Sequence, residues 1–315
     1  MVLRPLTIMA LAFVTGAASA QNYPVKPVRI ITSGVGGGND AISRIIAAGI
    51  SGPLGQPVIV ENRGGLITGE MLAKSPPDGY TLMLQGASVW LAPFLYRSVS
   101  FDPIRDFAPI TLADKSPNTI VVHPSLPVKS VKELIVLAKS KPGALNYSSG
   151  NTGSPNHLAG ELFKSMAGVN IVRIPYKSGA QETTDLIAGQ VHMAFSPAGS
   201  VMVHVKAGKL RALGVASSQP SALAPGIPTV ASSGLPGYEM GSIHAVFAPA
   251  GTPAAIINRL NQEMVRYLRL PDVKEKLLAN SVESVGSTPE ELGATIKSEM
   301  ARLGKLIKDV GIRAD

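Results

Sequence analysis

Short β-rich runs alternate with amphipathic segments along this chain, and that alternation most narrows its fold. Pro27-Val-Arg-Ile-Ile-Thr32 reads as a strand. It passes through Ser33-Gly-Val-Gly-Gly-Gly-Asn-Asp40 into a helix with Ile42, Ile45 and Ile46 on one face. Pro57-Val-Ile-Val60, Thr81-Leu-Met-Leu84 and Asn118-Thr-Ile-Val-Val-His123 are further strands. The pattern then restarts. Ser130-Val-Lys-Glu133 is a capping box that opens a helix, and Leu145-Asn-Tyr-Ser148 is a strand. A Gly/Ser/Asn loop, 149–156, leads into a helix with Leu158, Leu162, Phe163 and Met166. Strands at 171–175, 191–195 and 211–216 alternate with helical segments near 180–189 and 199–207. A Pro/Ser/Gly-rich stretch, 217–237, leaves this unit, and a strand at 242–248 follows. Two helices finish the chain, the second opened by the capping box Thr288-Pro-Glu-Glu291. Strands alternating with helices predict an α/β fold with mostly parallel sheets. Two such units leave a cleft between them, and ligands of open α/β sheets sit beyond the carboxyl ends of the strands.

Residues 1–20 form an address label. Arg4 supplies the positive region, residues 6–17 the apolar one, and Ala18-Ser19-Ala20 the cleavage signal. The mature chain is expected to begin near Gln21, and no cysteine follows to carry a lipid anchor. No later stretch holds 18 uncharged apolar residues, so no other span is expected. The absence of cysteine excludes disulfide frameworks, thiol nucleophiles and Cys-type zinc sites. With 29 basic and 21 acidic residues the net charge is +8, or +7 without Arg4. The basic residues are scattered and aromatics are only 5%, so a nucleic-acid groove is not expected. Mild positive potential fits attraction of small anions.

The catalytic signatures are missing. There is no G-x-S-x-G elbow and no phosphate-loop motif. His123, His157, His192, His204 and His244 show no metal-ligand spacing, and His192, in a strand, reads as structural. No catalytic residue, metal or cofactor is therefore expected. Two loops remain. In the first, Ser33, Gly34, Gly36, Gly37, Gly38 and Asn39 lie between a strand and a helix, where free N–H groups and the helix N-terminus favour an anion. A tight turn held by Asp40 is the alternative. In the second, Ser149, Gly150, Asn151, Thr152 and Ser154 again precede a helix; a solvated connection is the alternative. Facing one cleft, the two loops form a clamp for a small anion. Trp90, near Ser88 beyond a strand end, can stack on an aromatic carboxylate or fill the core.

Many collinear segments carry a family resemblance. They include Tyr23-Pro-Val-Lys-Pro-Val-Arg-Ile30, Leu54-Gly-Gln-Pro-Val-Ile-Val-Glu-Asn-Arg63, Pro77-Asp-Gly-Tyr-Thr-Leu82 and Phe101-Asp-Pro-Ile-Arg-Asp-Phe-Ala-Pro109. Val122-His-Pro-Ser-Leu-Pro127, Val172-Arg-Ile-Pro-Tyr-Lys177, Gly208-Lys-Leu-Arg-Ala-Leu213 and Ala248-Pro-Ala-Gly-Thr-Pro253 continue the set. Over nearly all of its mature length the chain resembles the extracytoplasmic solute receptors of tripartite tricarboxylate transporters, the Bug family. The resemblance implies a two-domain periplasmic binding protein of Venus-flytrap, type II-like architecture. Residues 21–122 and 219–315 are expected to form domain I, and 123–218 domain II. A carboxylate is expected between them, held by 33–39, 148–154 and Tyr176, Lys177, Ser178 and Gly179. Delivery to a membrane permease of one large and one small subunit is implied, with the receptor a periplasmic monomer. Presentation to a sensor kinase, or a secreted enzyme in the same cleft, are the competing readings. Ser196 stands where relatives often have an Asp, which in some of them meets a ligand amine, and this favours a carboxylate without an α-amine.

Overall fold

The computed structural model describes residues 23–314; the expected export signal, 1–20, lies outside them. The chain opens with β1 (Val28–Thr32), α1 (Gly38–Leu54), β2 (Val58–Asn62), α2 (Ile67–Ala73), β3 (Thr81–Gln85) and the short α3 (Ala87–Trp90) and α4 (Ala92–Leu95). The long β4 (Phe107–Val122) leads to α5 (Val131–Ser140), β5 (Asn146–Ser149), α6 (Pro155–Ala167), β6 (Val172–Pro175) and α7 (Gly179–Ile187). Next come β7 (Met193–Pro197), α8 (Ala198–Lys206) and β8 (Arg211–Val215). The return is β9 (Gly241–Pro249), α9 (Ala254–Leu268), α10 (Pro271–Ala279), β10 (Glu283–Ser284) and α11 (Pro289–Val310).

The strands run in the order β2-β1-β3-β9-β4-β7-β5-β6, with β8 and β10 also pairing β4. β1 pairs in parallel with β2 and β3, and β5 with β6 and β7, as helical crossovers demand. β9 and β4 run antiparallel to their neighbours, so the sheet is mixed rather than mostly parallel. The reason is the connection: the chain passes between the two halves along an extended strand, not over a helix. β4 is 16 residues long, and its first half pairs β9 while its second pairs β7 and β8. Only 118–123 reads as a strand from the sequence, because Pro109 and Pro117 interrupt the earlier half. Register shifts between Pro109 and Thr111, and between Leu112 and Asp114, let β4 carry on regardless.

Three backbone hydrogen bonds close a ring where the chain crosses. Asn118 N–H donates to Met240 C=O at 2.9 Å, Met240 N–H to Ala216 C=O at 2.9 Å, and Ala216 N–H to Asn118 C=O at 2.7 Å. Gly241 is needed here because a Cβ would sit 2.5 Å from the Ser116 carbonyl oxygen.

The helices form where their apolar faces have sheet to cover. α1 buries Ile42, Ile45, Ile46 and Ile50 with Ile30, Leu82 and Leu84. Truncating such a residue to Ala costs about 2–5 kcal/mol. β9 alternates, sending Val246 and Ala248 toward α1 and Ala245 and Phe247 toward Trp90 and α11. Thr288 and Glu291 make the expected reciprocal box. At Ser130 only half of one forms: the hydroxyl accepts from Glu133 N–H, but Glu133 reaches Lys129 N–H, one residue early. α10 and β10 lack a legible signal, since α10 buries only Val273 and Leu277 and β10 is two residues long.

Candidate functional site

The first loop leaves the carboxyl end of β1 and enters α1. Gly36 has a φ of 82°, which glycine adopts without strain. Asp40 holds the loop from inside: one oxygen accepts Gly36 N–H at 2.9 Å, the other accepts the Asn62 amide at 2.8 Å and pairs Arg44 at 2.9 Å. Gly36 first, then Asn62 and Arg44, pull its pKa down to about 2. Asn39 donates to Ser33 Oγ at 3.0 Å and to Gln85 Oε1 at 2.8 Å, tying the loop to the end of β3. Its amide nitrogen is spent on the scaffold. No side chain caps α1, so backbone N–H groups at its start stay open to an incoming anion, beside the exposed Gly34, Gly36, Gly37 and Gly38. Ser88 is exposed on α3, past the same strand end.

Beneath this loop lies a pair that no motif announced. His244 Nδ1 and Asp114 Oδ1 are 2.6 Å apart, on neighbouring β9 and β4. A Cβ on Gly38 would be 3.5 Å from His244 Nε2, and one on Gly86 4.0 Å from the ring's Cδ2. The imidazole therefore faces the start of α1 and the end of β3. Asp114 is fully buried, and burial pushes its pKa up; that of His244 is raised by its carboxylate partner despite desolvation. The two residues are 130 positions apart, and only sheet register brings them together.

The second loop is braced differently. Arg173, on β6, donates Nε to Ser149 Oγ at 2.7 Å, Nη2 to Gly150 C=O at 2.8 Å and Nη1 to Thr152 Oγ1 at 3.3 Å. Ser154 caps α6, accepting His157 N–H. His157 Nδ1 in turn accepts Gly153 N–H at 3.0 Å. Burial, then Arg173, lowers its pKa to about 4, so it stays neutral. Ser148 donates to the buried Glu182 at 3.1 Å, and Ser196 hydrogen-bonds the same carboxyl group, whose pKa burial raises. Tyr176 donates to Asp185 at 2.9 Å. Asn151, Lys177, Ser178 and Gly179 are exposed, the last three where α7 begins. Arg173 and Glu182 escaped the sequence reading because their partners come from other strands and helices.

Trp90 is a correction. It is 1% exposed, packs on Phe247 with ring centroids 6.1 Å apart, and donates Nε1 to Glu299 at 2.9 Å. A ring packed into the core presents no face to a ligand. His192 is structural, tied to the Asn146 side chain at 2.8 Å. A cavity of about 520 Å³ lies at the crossover, lined by Ser116, Pro117, Met240, Gly241, Glu299 and Arg302 among others, and none of the expected site residues borders it. Among the described residues no cluster of His, Asp and Glu could hold a metal, and no helix is long and apolar enough to cross a membrane.

Two α/β halves joined by crossing strands, each opening loops at its strand ends, define a two-domain binding-protein fold. Residues 42–312 match the model of the tripartite tricarboxylate transporter family receptors, TctC, and the chain belongs to that family. It is a family of periplasmic solute-binding receptors, not of enzymes. A protein in the tcbD-tcbE intergenic region of Pseudomonas sp. strain P51 is 36% identical over 320 residues, covering 99% of this chain and 95% of that one. The solved structure of R. palustris Rpa4515 with adipate is 34% identical, with a TM-score of 0.75 over 92% of this chain and 99% of the other. MatC from Rhodopseudomonas palustris with bound malate is 26% identical, with a TM-score of 0.72 over 90% and 100%.

Proposed function

We propose that this protein captures a small dicarboxylate between its two halves and delivers it to a membrane permease of one large and one small subunit. The observation that carries the reading is the uncapped start of α1. It presents backbone N–H groups and a positive helix end, and the nearest acid, Asp40, is turned inward onto Gly36, Asn62 and Arg44. Adipate and malate in two family structures support the ligand class. The domains are 21–122 with 219–315, and 123–218, bending about the ring of Asn118, Ala216 and Met240. Closure draws on contacts made only when the ligand bridges both halves. The mature receptor works in the periplasm as a monomer, after loss of residues 1–20.

The ligand lacks an α-amine. Ser196 has no charge, and its hydroxyl is engaged by Glu182. Calorimetry and thermal shift on protein starting at Gln21 test both statements, with adipate, malate, citrate, aromatic dicarboxylates, aspartate and glutamate. Ligand at 100 times Kd adds about 2.7 kcal/mol of stability. Dicarboxylate binding with silent amino acids supports the reading. Tight glutamate binding sinks the second statement, and a flat carboxylate panel on refolded protein sinks the first.

A further inference from the structure

We infer that His244, oriented by Asp114, is a ligand-binding residue of the cleft: its Nε2–H donates to a ligand carboxylate at the start of α1, and this makes binding pH-dependent. The inference rests on the receptor reading above and adds a residue and a proton to it.

Geometry carries the argument. His244 is 9% exposed, yet its Nε2 forms no hydrogen bond with any described residue, whereas Nδ1 is engaged at 2.6 Å. The free nitrogen lies 3.5 Å from where a Gly38 side chain would begin, so the missing side chain leaves room beside it. Unlike Asp114 Oδ2, this nitrogen is not sealed from solvent, so a ligand group can reach it. The uncapped N–H groups belong to the same helix end as Gly38, and a helix N-terminus favours the same partner, an anion.

The dyad decides what Nε2 offers. With the pair's proton on the ring, an imidazolium faces the ligand and both nitrogens carry hydrogen. If the shared proton shifts to Asp114, the carboxylic acid donates to Nδ1 and the neutral ring keeps its hydrogen on Nε2. In both states Nε2 is a donor. Once the pair loses that proton, Nδ1–H donates to the Asp114 carboxylate, and a bare Nε2 lone pair confronts the ligand carboxylate. Asp114 Oδ2 is buried and unpartnered, which favours keeping the proton in the pair.

The surrounding charges leave this proton to Asp114. Lys115, next on β4, turns to Glu283 of β10 at 3.8 Å. Asp40 of α1 is held by Gly36, Asn62 and Arg44. Gln85, Gly86 and Ser88, where β3 meets α3, carry no charge. Asp114 is the charge that raises the imidazole's pKa. Because the bound form needs the proton, affinity holds at acidic and neutral pH and falls as pH rises through the raised pKa. The fall approaches about tenfold per pH unit, the limit for one linked proton.

Calorimetry with adipate and malate from pH 5.5 to 9.5 tests this on the wild type, His244→Gln and Asp114→Asn. Thermal melts confirm that each variant folds. Wild-type affinity should fall at alkaline pH. His244→Gln should bind roughly ten- to a hundredfold more weakly at pH 6 and lose the pH dependence. Asp114→Asn should move the midpoint of the fall to lower pH. Imidazole ¹⁵N spectra give a readout that needs no variant to bind: the His244 Nε2 signal, assigned by its absence from His244→Gln, should shift on saturation with adipate or malate. Coincident pH profiles for wild type and His244→Gln, or an unmoved Nε2 signal at saturation, overturn the role of His244 while the receptor reading stands. Wild-type protein that binds neither probe nor any other carboxylate of the panel overturns both.

Discussion

The loop before α1 and the loop before α6 look alike on paper, each small and polar and each opening a helix, but they spend their hydrogen-bonding groups in opposite ways. Before α6, Arg173 occupies Ser149, Gly150 and Thr152, while Ser154 caps the helix. Before α1 no side chain caps the helix, and Asp40 steadies the glycines from within. Each loop also has a buried histidine beside it, and the two pKa values are moved in opposite directions. His157 accepts Gly153 N–H, and burial, then Arg173, lowers its pKa, whereas the Asp114 carboxylate raises that of His244. Hydroxyl-rich loops tend to satisfy themselves, because side-chain oxygens reach local donors and acceptors. Glycine-rich loops leave only backbone, which a ligand can claim.

The largest effect expected is acid lability of the second loop. Unfolded His157 takes up a proton near pH 6.5 and the native one only near pH 4. Stability is therefore lost as pH falls between those values, by up to about 3 kcal/mol. Urea melts from pH 7 to 4 on wild type and His157→Asn measure it; parallel curves would erase this half of the contrast. Next comes the brace: Arg173→Met should cost about 2 kcal/mol in the same melts, from charge-assisted bonds to Ser149 and Gly150. Asp40→Asn should cost less, about 1 kcal/mol, because the amide oxygen that replaces a carboxylate oxygen can still accept one of the hydrogen bonds. The wild-type contribution of Asp40 is present above pH 3.8 and disappears as pH falls toward 2. A larger loss than for Arg173→Met would mean that the first loop, not the second, is the more tightly held. The smallest effect is on binding at Trp90: Trp90→Phe should leave dicarboxylate affinity within about twofold, as its ring is in the core. A tenfold loss in calorimetry would return Trp90 to the cleft.

Much of this was legible in one dimension. The strand–glycine–helix order around Gly36, the cap at Thr288 and the spacing of Ile42, Ile45 and Ile46 are local signals with local physical causes. Trp90 shows the limit, since a lone aromatic after a strand reads equally as ligand platform or core, and packing against Phe247 and Glu299 decides it.

By itself the sequence determined the α/β class, the two glycine- and hydroxyl-rich loops, and the family, because patterning, turn chemistry and collinear motifs act over a few residues at a time. The tertiary structure alone decided which loop leaves its helix without a side-chain cap, that β4 and β9 make the sheet mixed, and that Asp114 meets His244. Those outcomes depend on register between strands more than a hundred residues apart, and no local pattern encodes which side chains two distant strands will place face to face.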